Sequence, residues 1–114
     1  MIKTWRNAGL QAYFETGSKA GIQPAHANKL TKLLTALNAA SKPQDMAAPA
    51  WRLHPLKGSL TGHWSVDVNG DYRITFKFEA TDAVLVDMWR AQRRFKAGKV
   101  KRIITTELPD AAHA

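Results

Sequence analysis

The sequence predicts an α+β domain, two N-terminal helices packed on a small antiparallel sheet, with a basic C-terminal extension. Three observations predict it. Apolar residues recur at helical spacing up to about residue 40, they alternate with period two from residue 50, and cations crowd the chain beyond residue 87.

Ile2–Trp5 reads as a short first strand. Asn7 is suited to cap a helix running to about Thr16, with Leu10, Tyr13 and Phe14 on one side. Gly17 and Gly21 bracket its end and the loop that follows. Pro24 opens a second helix, because its missing N–H costs nothing in a first turn. Leu30, Leu33, Leu34 and Leu37 form its buried stripe, Lys29 and Lys32 lie off it, and the helix is expected to end near Ala40.

Trp51–His54 is expected to be extended, since Pro55 disfavours helix at His54. Trp64, Val66 and Val68 then alternate with His63, Ser65 and Asp67, and Tyr72, Ile74, Phe76 and Phe78 with Arg73, Thr75 and Lys77. Ala83–Asp87 completes the set as a fourth strand. The turn between the two alternating strands decides their register. A two-residue Asn69-Gly70 loop would put Arg73 on the face of Val66, whereas a three-residue loop pairs Val66 with Ile74 and Trp64 with Phe76. The longer loop is preferred, and it turns Arg73, Thr75 and Lys77 away from the aromatics.

The 114 residues make one domain core, assigned to residues 1–87, with residues 88–114 as the extension. No cysteine is present, which excludes disulfides and thiolate metal sites and fits a reducing cytoplasm. No apolar run has the ~20 residues of a membrane span, and no apolar stretch follows the first cations as in a signal peptide. A cytoplasmic protein without membrane contact is expected. The net charge of +8 favours polyanionic partners. It is uneven: residues 1–87 carry +3, and the last 27 residues carry +5.

No metal motif is present, because the histidines at 26, 54, 63 and 113 lack ligand spacing, and no cofactor is called for. Arg52, His54, Lys57 and Arg73 are a compact cationic group around one loop and two strands. Cleaving RNA needs a base for the 2′-OH, cations for the phosphate oxygens and an acid for the leaving oxygen. Residues of these types can supply all three, and they can equally form a phosphate-binding surface that cleaves nothing. Trp51 and Trp64 read as packing residues rather than base-stacking platforms.

The segment Leu53-His54-Pro55-Leu56-Lys57-Gly58, then Gly62-His63-Trp64-Ser65-Val66, then Tyr72-Arg73-Ile74-Thr75-Phe76, resembles the signature of HigB-type toxins of the RelE superfamily. The opening Met1-Ile2-Lys3 and the helix with Leu10 and Phe14 before Gly17 are similar as well, so the resemblance covers about residues 1–87. It implies a RelE-like fold, metal-independent cleavage of mRNA at the ribosome, and neutralisation by a helix-turn-helix antitoxin of the HigA type. By position it makes His54, Lys57 and Arg73 catalytic: Arg73 on the scissile phosphate, Lys57 on developing charge, and His54 orienting or exchanging a proton. Arg52 and Lys77, with Arg90, Arg93, Arg94, Lys96, Lys99, Lys101 and Arg102 of the extension, are the expected contacts to RNA or ribosome.

One departure stands out. The family typically ends its last strand on an acidic-Tyr-His sequence, and alignment of Asp82–Asp87 places Ala91 and Gln92 where the Tyr and His would fall. Two readings of the chain therefore stand side by side: an active endoribonuclease toxin, and a module of that fold that binds antitoxin, ribosome or RNA with little or no cleavage. A DNA-binding regulator is disfavoured, because the helix after Pro24 spends its leucines on the core.

Overall fold

The computed structural model describes residues 1–90. Helix α1 spans Ala8–Thr16 and is capped as expected: Leu10 N donates to Asn7 Oδ1, and Gly17 ends the helix at φ 80°, a conformation that costs glycine little. Gly9 and Gly21 make the other glycine-dependent contact. A methyl group on Gly9 would sit 2.5 Å from the Gly21 carbonyl oxygen, so the loop after α1 folds back directly onto the helix. The second helix begins at Pro24 as a 3₁₀ turn, Pro24–His26, and continues as α2, Ala27–Ala39.

Strands β1 (His54–Pro55), β2 (Trp64–Asp67), β3 (Tyr72–Glu79) and β4 (Asp82–Arg90) form one antiparallel sheet in sequential order. The register of β2 against β3 is that of the three-residue loop, with Val66 opposite Ile74 and Trp64 opposite Phe76. The inner face carries Val66, Ile74, Phe76 and Val86, each at most 1% exposed. It meets Leu30, Leu33, Leu34 and Leu37 of α2 and Leu10 of α1 in one core cluster. Trp5, Trp51 and Trp64 pack against that cluster, as packing residues should.

The structure corrects three expectations. Trp51 and Arg52 are not extended: Pro49–Trp51 is a 3₁₀ turn, and Arg52 is left-handed at φ 55° and ψ 49°. The proline rule constrains only His54, and the turn two residues earlier is fixed by packing of Trp51 on the core. The fourth strand starts at Asp82 and runs three residues past Asp87, because Met88, Trp89 and Arg90 find partners in Ile74, Arg73 and Tyr72. Arg90 is thus a strand residue. Between Thr75 and Lys77 the β3–β4 ladder carries a bulge, with Leu85 at φ 57°. The N-terminal segment joins the sheet as two parallel bridges on β4, Ile2 with Ala83 and Trp5 with Val86, rather than as a continuous strand.

Candidate active site

The outer face of the sheet carries the residues that alternate with the core. Strict alternation puts Ser65 and Asp67 of β2, Thr75 and Arg73 of β3, and Asp87 and Trp89 of β4 on this side. Register sorts them into rows: His54, Ser65, Thr75 and Asp87 form one, and Asp67, Arg73 and Trp89 the next.

Arg73 reaches across β2 to His54, with Nη1 3.5 Å from His54 Nε2. The other ring nitrogen, Nδ1, lies 2.8 Å from the Arg52 carbonyl oxygen. A carbonyl can only accept, so Nδ1 carries the proton and Nε2 keeps its lone pair. The left-handed turn at Arg52 aims that carbonyl back at the ring, a conformation that costs a non-glycine residue about 1–2 kcal/mol. The result is an imidazole of fixed tautomer whose basic nitrogen faces a guanidinium.

Around this pair lies an open cleft of about 830 Å³. Lys29 of α2 enters from the helix side, Arg52 and His54 from the segment leading into β1, Arg73 from β3, and Asn69 and Gly70 from the β2–β3 turn. Among the described residues, Asp67 is the one acid lining it, and it pairs with Arg52 at 3.4 Å. The turn is held in place from below. Asn69 Oδ1 accepts from the N–H groups of Asp71 at 2.7 Å and Tyr72 at 2.9 Å, so its amide nitrogen must donate to His26 Nε2 at 3.1 Å. His26 is buried at the start of α2, with its ring 4.8 Å from that of Tyr72. The helix thereby sets the position of the cleft's far wall.

Of the residues expected from sequence, Arg52, His54 and Arg73 share this cleft. Lys57 and Lys77 do not line it. Lys57 is exposed and precedes the 3₁₀ turn Gly58–Leu60, and Lys77 packs one row further along, its Cε 3.8 Å from where a methyl on Gly62 would sit. Beside Lys77, burial holds the His63 imidazole below its ordinary pKa, and the Lys77 and Arg6 cations push it the same way. Arg90 pairs with Tyr72, so alternation assigns it to the face opposite Arg73. Arg93, Arg94, Lys96, Lys99, Lys101 and Arg102, with Ala91 and Gln92, lie outside the described residues. Sequence reasoning missed Lys29 and Asn69, which line the cleft, and Trp89, which lies opposite Arg73 on the neighbouring strand. Trp89 was within reach of the alternation, had the fourth strand been continued past Asp87.

Residues 3–91 match the model of the family described as RelE-like toxin of type II toxin-antitoxin system HigB. The chain is also 33% identical over 87 residues to an endoribonuclease HigB from Proteus vulgaris, covering 76% of this chain and 95% of that one. The chain belongs to the HigB family of RelE-like toxins. The match ends one residue beyond β4, so the family's core includes the whole strand. Solved structures agree on the fold. YafQ from E. coli strain BL21(DE3) superposes with a TM-score of 0.55 at 16% identity, over 84% of this chain and 100% of that one. A YafQ mutant from E. coli gives 0.51 at 18% identity, with the same coverage. As a HigB-type toxin, the chain has an antitoxin as its counterpart. Among the described residues, no helix is long and apolar enough to cross a membrane.

Proposed function

We propose that this toxin is an endoribonuclease that cuts mRNA in the ribosomal A site in the cytoplasm, and that a HigA-type helix-turn-helix antitoxin neutralises it. The observation that carries the reading is the Arg73–His54 pair, a guanidinium set 3.5 Å from an imidazole nitrogen whose lone pair faces it. A phosphate entering the cleft replaces the weak Arg73–His54 contact with a charge-assisted one. His54 Nε2 is then placed to take a proton from the adjoining 2′-OH, and Lys29 and Arg52 contribute further positive charge to the phosphodiester backbone. Lys57, exposed on the loop that follows β1, stabilises the charge developing on the phosphate, as the family motif implies.

The absent acidic-Tyr-His ending makes the leaving-group step the slow one, because lysine and arginine hold their protons too tightly at neutral pH to act as good general acids for the leaving oxygen. The basic residues after β4 supply affinity for rRNA rather than chemistry. Induced expression followed by mapping of mRNA 5′ ends tests the assignment. Cuts at fixed positions within codons, present with the unaltered chain and absent with Arg73→Ala and with His54→Ala, are expected. Growth inhibition without new 5′ ends would favour the binding-only reading.

A further inference from the structure

We propose that Trp89 is a nucleobase-binding residue, on whose indole one base of the RNA stacks while Arg73 holds a neighbouring phosphate. The inference rests on the endoribonuclease reading of the same face and names a contact that the family motif does not contain.

Trp89 stands apart from the other three tryptophans. Trp5, Trp51 and Trp64 pack against the core cluster, and Trp89 does not. It lies on β4 directly opposite Arg73, on the face turned away from the helices. Its single polar atom is already committed, since Nε1 donates to Thr75 Oγ1 at 2.9 Å. Thr75 is 2% exposed and β-branched, so its hydroxyl is a rigid anchor and the ring has one preferred orientation. Arg73 and Trp89 lean the same way along the face, Arg73 across β2 to His54 and Trp89 onto β3 at Thr75.

A half-exposed indole, fixed in direction and with no free hydrogen-bonding group, has only its π face left to offer. Placed one strand from a guanidinium in a cationic cleft, it suits a ligand that carries both an aromatic ring and an anion. Single-stranded RNA has that chemistry, and base–aromatic stacking is worth enough to be measured. A cationic peptide could also cover an indole, but Arg73 on the next strand, with Arg52 and Lys29 in the cleft beyond it, disfavours one electrostatically.

The experiment uses the full chain and a short single-stranded RNA, 2′-O-methylated throughout so that it is not cleaved, with one abasic nucleotide moved through it. In the unaltered protein, one position should respond: removal of its base weakens binding about fivefold to a hundredfold. That penalty should disappear in Trp89→Leu, which keeps apolar bulk without a π face, and survive in part in Trp89→Phe. Thr75→Val, which removes the anchor but leaves the indole, should reduce it. This variant covers the case in which Trp89→Leu fails to fold. A base-removal penalty of the same size in Trp89→Leu or in both other variants as in the unaltered chain overturns the proposal, as does the absence of any responsive position. Arg73→Ala should weaken intact and abasic RNA equally. If it weakens neither, the phosphate assignment fails, and the abasic comparison still decides the role of Trp89.

Discussion

Ile74 and Thr75 are neighbours on β3 and both are almost completely buried, at 1% and 2% exposure, yet they belong to different parts of the molecule. Ile74 faces the leucines of α2 and is one of many interchangeable contributors to a close-packed interior. Thr75 faces the other way, under the indole whose nitrogen it accepts, between Arg73 and His54 on one side and Asp87 on the other. The inner face is redundant: each side chain has many neighbours, and stability is shared. The outer face is specific, because its polar contacts join particular pairs, Arg73 with His54 and Trp89 with Thr75. Ser65 Oγ, fully buried in the His54 row, makes no hydrogen bond among the described residues. A sheet of this kind separates what folds the protein from what it does, with one residue of strand between them.

Substitutions chosen in pairs test that separation. Phe76→Ala should produce the largest change, a loss of about 3–5 kcal/mol of folding stability by thermal or denaturant unfolding, since the ring is wholly buried. Arg73→Ala should leave the melting temperature within a few degrees while lowering mRNA cleavage on the order of 10²–10³-fold. A cleavage defect in Arg73→Ala that tracks loss of fold would break the comparison. Asn7→Ala removes the acceptor for Leu10 N and should cost about 1 kcal/mol, read as a lower unfolding midpoint with unchanged activity per folded molecule.

The smallest effect is a slope with pH. His63 is held below its ordinary pKa, so the folded state favours the neutral ring. The resulting stability is present above the unfolded value and is lost as pH falls below it, because the unfolded chain then binds the proton more readily. Unfolding midpoints should fall between pH 7 and pH 5, and His63→Gln should flatten part of that fall. His63 Nδ1 and Nε2 are buried with no hydrogen-bond partner among the described residues, and an unchanged slope would mean that they find partners in solution.

Most of the fold was legible because its determinants are periodic. The leucines of α2, the cap at Asn7 and the alternation from Trp64 to Phe78 each repeat a local rule, and together they select the three-residue turn and place Arg73 correctly. What escaped depends on contacts distant in sequence. The left-handed conformation of Arg52 has no glycine to announce it, and the bulge at Leu85 interrupts the alternation it would be read from. The site was half legible. The motif finds His54 and Arg73, but Lys29 and Asn69 reach the cleft through the packing of α2 against a turn more than 40 residues away, bridged by His26 and Asn69.

The pairing of the first residues with the last strand has a kinetic consequence. Lys3 N donates to the Ala83 carbonyl and Arg6 N to that of Val86, both at 2.8 Å, joining segments some 80 residues apart. A contact of such sequence separation cannot form until nearly the whole domain has been synthesised, and loop closure of that length makes it a late event in folding. The helical hairpin can assemble early, but β4, which supplies Trp89 and flanks Arg73, is the last part of the sheet to emerge. The outer face therefore forms only when the domain is all but finished. A chain interrupted before residue 82 has no partner for Ile2 and lacks the strand that lies on the other side of Arg73 from β2, so incomplete copies of this toxin cannot assemble the outer face.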